Sequence, residues 1–200
     1  GLAKMIKSLK GSLMLLLTSL IWGTAFVAQS EGMNYVEPFT YNAVRTLLGG
    51  TVLIPVIMLF RFLDKRSGKE KAEYSLKNTV IGGICCGVVL CVASSFQQAG
   101  IAQTTAGKAG FVTALYIVIV PLIGIFLHRK MPLKMWLFIA IALVGFWLLC
   151  IKQDTGISSG DLLVFFGAIA FAVHITVIDH FNEKNTDGVL MSCIQFFTAG

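Results

Sequence analysis

The run Leu13-Met-Leu-Leu-Leu-Thr-Ser-Leu-Ile-Trp-Gly-Thr-Ala-Phe-Val-Ala28 follows Lys4, Lys7 and Lys10, and its reading decides the fold. A basic start and an apolar core also describe a secretory leader. That kind of core spans only about 7–15 residues and ends at a small-residue A-x-A site. This run is longer, and no such site follows it. It reads as a helix that crosses a bilayer.

The rest of the chain repeats the pattern. Seven apolar segments, at roughly 11–30, 40–62, 79–100, 104–127, 134–151, 161–180 and 188 to the end, are separated by short polar joints. About 20 residues suffice to cross a hydrocarbon core of about 30 Å as a helix, and the first six segments reach that length. Helix is required, because backbone groups in lipid must find partners within their own segment. The seventh segment stops at Gly200 before it can span, and the chain starts at Gly1; we expect its C-terminal end to be truncated.

Composition agrees. The chain is 56% hydrophobic and 13% charged over 200 residues, with a mean hydropathy of +0.81. A soluble domain is about 25% charged. The net charge of +6 does not point to nucleic acid, since no basic face or recognition motif gathers the cations. They lie in the joints. Taking the N-terminus and alternate joints together, thirteen Lys and Arg fall on one side and only Lys152 on the other. The positive-inside rule therefore puts the N-terminus in the cytoplasm.

Arg45 and Lys108 stand apart, because both fall inside spans. An ionisable group at such depth faces a cavity, a partner or the interface. Snorkelling is the competing account, as each lies near a span end. Any ion pair they make must join different helices. Asp161 and Asp179, at the two ends of the sixth span, read as interfacial. His174 sits mid-span, where a neutral imidazole bonded to a carbonyl is expected over a proton relay.

Gly83 and Gly87 form a G-x-x-x-G pair in the third span, expected to pack against a helix of the same chain. Gly107 and Gly110 form a looser pair in the fourth. Pro55 and Pro121 are expected to kink their helices. Cys85, Cys86, Cys91, Cys150 and Cys193 read as small packing residues. Neither a metal site nor any other cofactor is indicated.

The stretch from Gly11 to Gly23 can be laid on the stretch from Gly160 to Ala172, and Arg45–Gly50 on Gln195–Gly200. The offset of about 150 residues holds five spans, an odd number, so a second copy would insert upside down. Inverted duplication recurs among secondary transporters.

Ile21-Trp22-Gly23-Thr24-Ala25-Phe26-Val27, and then Val36-Glu37-Pro38-Phe39-Thr40-Tyr41-Asn42-Ala43-Val44-Arg45, resemble the opening of an EamA-type transporter of the drug/metabolite transporter superfamily. Gln103 to Pro121 resembles that family's fourth helix with its late proline, and Gly145-Phe-Trp-Leu-Leu fits its fifth. The resemblance implies an all-α, multi-pass helical bundle in the inner membrane, with ten helices in two inverted five-helix repeats and both termini cytoplasmic. Residues 1–153 would be the first repeat, and 160–200 the truncated start of the second. Where family members often carry a Glu-Arg pair, His128-Arg129-Lys130 stands, so no role for that glutamate carries over.

A carrier site needs a few polar groups in an apolar cavity near the midplane. The candidate substrate-binding residues are Trp22, Thr24, Asn42, Arg45, Gln97, Gln98, Lys108 and Tyr116, with Tyr41, Ser94 and Ser95 of matching chemistry. Trp22 and Tyr116 can stack on a planar or apolar substrate. Asn42, Gln97 and Gln98 can donate and accept hydrogen bonds. Arg45 or Lys108 can hold a carboxylate. For each polar residue the plain alternative is an interhelical bond.

The expected function is alternating-access transport of small organic metabolites, amino acids or related compounds being the cargo the resemblance implies, often as export. The expected partners are that substrate, the lipid bilayer and, optionally, a second copy in a homodimer. No P-loop is present, so a gradient or the substrate itself would drive it. An intramembrane enzyme would need clustered His, Asp, Ser or Glu within spans, which the sequence does not offer. A receptor or scaffold without transport is the other alternative.

Overall fold

The computed structural model describes residues 2–66, 74–127, 133–151 and 156–200. Eight helices account for nearly all of them: α1 (Leu2–Gly32), α2 (Pro38–Arg66), α3 (Leu76–Ile101), α4 (Ala106–Ala114), α5 (Tyr116–Phe126), α6 (Leu133–Ile151), α7 (Ser159–Asn182) and α8 (Gly188–Ala199). No strand occurs among the described residues. Five stretches are long and apolar enough to cross a membrane: Gly11–Gly32, α2, α3, Ala106–Phe126 and α7. The protein is a multi-pass α-helical membrane protein. His128-Arg129-Lys130, Lys69, Lys71, Lys152 and the repeat boundary at 153 lie outside the described residues.

Local chemistry sets the helix starts. Pro38 opens α2 at the position where a missing N–H costs nothing. Ser75 caps α3 by accepting from the Asn78 N–H, and Thr105 caps α4 by accepting from the Lys108 N–H. Ser158 and Asp161 form a reciprocal capping box at α7. Asp187 accepts from the N–H groups of Val189 and Leu190 at the start of α8.

Pro55 lies inside α2 without ending it. The break in the fourth span comes at Leu115, six residues before Pro121. There the backbone tightens: the Leu115 N–H bonds Val112 O, and the Val118 N–H bonds Leu115 O, both three residues back. Proline strips a helix of one bond in the turn before it, which loosens that stretch.

The hub is α3, antiparallel to α7 and parallel to α8. Glycine makes the contacts close. A Cβ on Gly83 would come within 2.6 Å of the Ile194 side chain, and one on Gly87 within 2.5 Å of Thr198 Cβ. The G-x-x-x-G pair thus packs within the chain, on α8. At the other end of α3, a Cβ on Gly100 would meet Val164 at 2.5 Å and the Gly160 carbonyl at 2.7 Å. In lipid such close approach replaces the hydrophobic drive that water would supply. The turn between α7 and α8 is tied to the start of α3, where Ser75 N–H donates to Asn185 O at 2.9 Å and Asp187 N–H to Thr79 Oγ1 at 3.1 Å.

α1 lies at the margin. Its long row of leucines is exposed, and its contacts run to α4 and, more thinly, to α3.

Candidate functional site

One end of the bundle gathers the polar side chains. There α1 and α3 finish while α2, α4 and α7 begin, and α3 carries the connecting residues. Ser94 and Gln98 are four apart, so they share one face of α3. Gln97 turns towards α4.

The first cluster joins α2 to α3. Asn42 Nδ2 donates to Ser94 Oγ at 2.8 Å, and Ser94 Oγ donates to Leu90 O at 2.6 Å. Arg45 Nη2 donates to Asn42 Oδ1 at 3.0 Å, and its guanidinium stands 5.9 Å from the Tyr41 ring centroid. Arg45 is half-buried, and among the described residues it meets no carboxylate. A planar cation at this depth with only a neutral amide and a ring for company can still take up an anion.

The second cluster spreads from α3 to its neighbours. Gln97 Nε2 donates to Thr113 Oγ1 on α4 at 3.1 Å. Gln98 faces α1, where its Nε2 reaches Met33 Sδ at 3.2 Å and the Gln29 main-chain carbonyl at 3.5 Å.

The third joins α4 to α7. Lys108 Nζ sits 3.3 Å from Asp161 Oδ2 and donates to Gly156 O at 3.0 Å. Thr104 Oγ1 donates to Asp161 Oδ1 at 2.5 Å, and the Ser158 N–H to Asp161 Oδ2 at 2.9 Å. Both ions are buried, at 3% and 2% exposure. Asp161, expected at the interface, is therefore an interior group, because the capping box and Lys108 together supply what water would have given it.

Trp22 and Tyr116 face each other across α1 and α5 with ring centroids 6.4 Å apart and planes tilted by 50°. Thr24 joins none of the clusters; it is exposed and its hydroxyl bonds Leu20 O and Ile21 O on its own helix. His174 Nε2 is 2.8 Å from Gln195 Oε1, a buried tie from α7 to α8. An apolar cleft of about 450 Å³ lies between α4, α5 and α6, lined by residues such as Phe111, Pro121, Phe138 and Gly145. It holds none of the candidate polar groups. Among the described residues, no group of His, Cys, Asp and Glu could hold a metal ion.

The structure thus pairs Asn42 with Arg45 and Trp22 with Tyr116, gives Gln97 and Gln98 to different helices, and commits Lys108 to Asp161. It also adds Gln29, Thr104, Thr113, Asp161 and Gln195. Of these only Asp161 carried a sequence signal, the Ser158-x-x-Asp161 spacing of a capping box.

Residues 9–151 match the EamA-like transporter family. The chain belongs to that family. This EamA-like chain is 28% identical over 191 residues to a protein from Archaeoglobus fulgidus described as an uncharacterized transporter. The similarity covers 95% of the chain and 56% of that relative, so the chain spans little more than half the relative's length. No solved structure matches it. The family's description and the relative's both name transporters.

Proposed function

We propose that the protein is a secondary carrier of small organic metabolites that bear a carboxylate, amino acids or related compounds, and that it works by alternating access. Arg45 carries the reading. It is a cation inside a membrane span, held in place by Asn42 and Ser94, and among the described residues no carboxylate opposes it. Its fork geometry suits a carboxylate. Lys108 does not compete for this role, since Asp161 already neutralises it. Trp22 and Tyr116, facing each other across α1 and α5, supply an aromatic surface.

In this reading residues 1–153 form one five-helix repeat and 160–200 open a second, inverted one, with the N-terminus in the cytoplasm. The excess of Lys and Arg on one set of joints supports that orientation. Transport, rather than intramembrane catalysis, is the assigned activity.

The test is flux into proteoliposomes. Reconstituted protein is given radiolabelled amino acids and related carboxylates, with and without a pH gradient, beside Arg45→Ala. Saturable flux that Arg45→Ala abolishes supports the reading. Flux that Arg45→Ala leaves untouched removes Arg45 from the path, and absence of flux for every compound from folded protein removes the carrier.

A further inference from the structure

Gln29 on α1 and Gln98 on α3 are 4% and 0% exposed. The Oε1 atom of each is buried with no hydrogen-bond partner. A buried amide oxygen without a donor is rare, because it has given up its water for nothing. Two of them on neighbouring helices mark a place where a donor belongs.

Among the described residues no backbone N–H reaches either oxygen. Both residues lie in the last turn of their helices, where the N–H groups bond carbonyls of the preceding turn. Nor does turning the Gln98 amide help. That would put Oε1 against Met33 Sδ and the Gln29 carbonyl, both acceptors, and strand the NH2 instead. The groups that the Gln98 amide meets, Met33 Sδ and the Gln29 carbonyl, offer only lone pairs.

We propose that Gln29 and Gln98 form a receptor for an ammonium group between α1 and α3. An ammonium presents three N–H donors and no acceptor, which complements the two unpartnered amide oxygens on these neighbouring helices. The site rests on the carrier reading above and makes the cargo amine-bearing. It also lies next to the anion site: Ser94, where the chain from Arg45 through Asn42 ends, is one turn from Gln98 on the same face of α3. A molecule with an amine at one end and a carboxylate at the other would span the two. A resident water is the other source of a donor, and it would serve any cargo equally.

The experiment measures equilibrium binding to purified protein, so that it does not depend on flux. The probes are the standard amino acids, then the desamino acid and the decarboxylated amine of whichever binds tightest. The variants are Gln29→Leu, Gln98→Leu and Gln98→Glu. An ammonium receptor predicts roughly 10- to 100-fold weaker binding of the amino acid and the amine in both leucine variants. It also predicts unchanged binding of the desamino acid, and recovery of amine binding in Gln98→Glu. Equal losses for all three probes would assign the oxygens to a resident water and overturn the proposal. So would binding of no amino acid by protein that melts cooperatively. Binding without flux in proteoliposomes would leave the receptor standing and remove the carrier instead.

Discussion

Lys108 Nζ and Asp161 Oδ2 meet 3.3 Å apart in the interior, joining the start of α4 to the start of α7. Neither ion is left short of partners, since Gly156 O takes a second Lys108 hydrogen while Thr104 and the Ser158 N–H serve Asp161. The pair therefore holds two helices that are 53 residues apart in sequence.

Removing one partner strands the other charge. We expect Lys108→Met or Asp161→Asn to cost about 3–5 kcal/mol. The double variant should recover part of that loss, because it strands nothing. Thermal unfolding in detergent reads both effects. Single variants that melt with the wild type would show the pair to contribute nothing.

The third span behaves as its glycines foretell, and the contrast with the fourth gives a second test. A side chain at Gly87 would meet Thr198 and the Gln195 carbonyl, whereas nothing lies within 4 Å of a Cβ at Gly107. Gly87→Leu should therefore part α3 from α8 and cost roughly 1–3 kcal/mol, and Gly107→Leu should be nearly silent. Comparable melting temperatures for the two variants would contradict this packing.

The segments themselves were legible in the sequence because lipid imposes one rule on every span: apolar residues for about 20 positions, then a polar joint. The seven predicted segments appear as helices near the predicted bounds, but among the described residues five, not six, are long and apolar enough to span, and the fourth segment, expected to kink at Pro121, breaks at Leu115. Proline announces a weakened turn, but not which residue yields. The polar pairings were not legible. Lys108 with Asp161, Gln97 with Thr113 and His174 with Gln195 are set by how helices face one another, and no local pattern encodes that. Asp161 is the instructive case, since its capping spacing marked a helix start while its burial depended on α4.

His174 and Gln195 make the buried tie between α7 and α8. Such bonds contribute about 0.6 kcal/mol in a membrane. We expect His174→Phe to lower the melting temperature slightly and to leave the ratio of flux with and without a pH gradient at the wild-type value. If that ratio changed with stability intact, the imidazole would belong to a proton path.

Arg45, Asn42 and Ser94 form a chain in which each residue orients the one before it, and that order predicts graded losses. Arg45→Ala removes the charge itself, so a carboxylate substrate should bind roughly 10- to 100-fold more weakly. Arg45→Lys keeps the charge but not the planar fork, and should fall between Ala and wild type. Ser94→Ala only releases Asn42, a loss of about 1 kcal/mol or roughly fivefold. An amine lacking the carboxylate should be indifferent to all three, since it has no group for the guanidinium. KM values in proteoliposomes read the series. A Ser94→Ala loss as deep as that of Arg45→Ala would mean that the chain supports the helix contact and not the cargo.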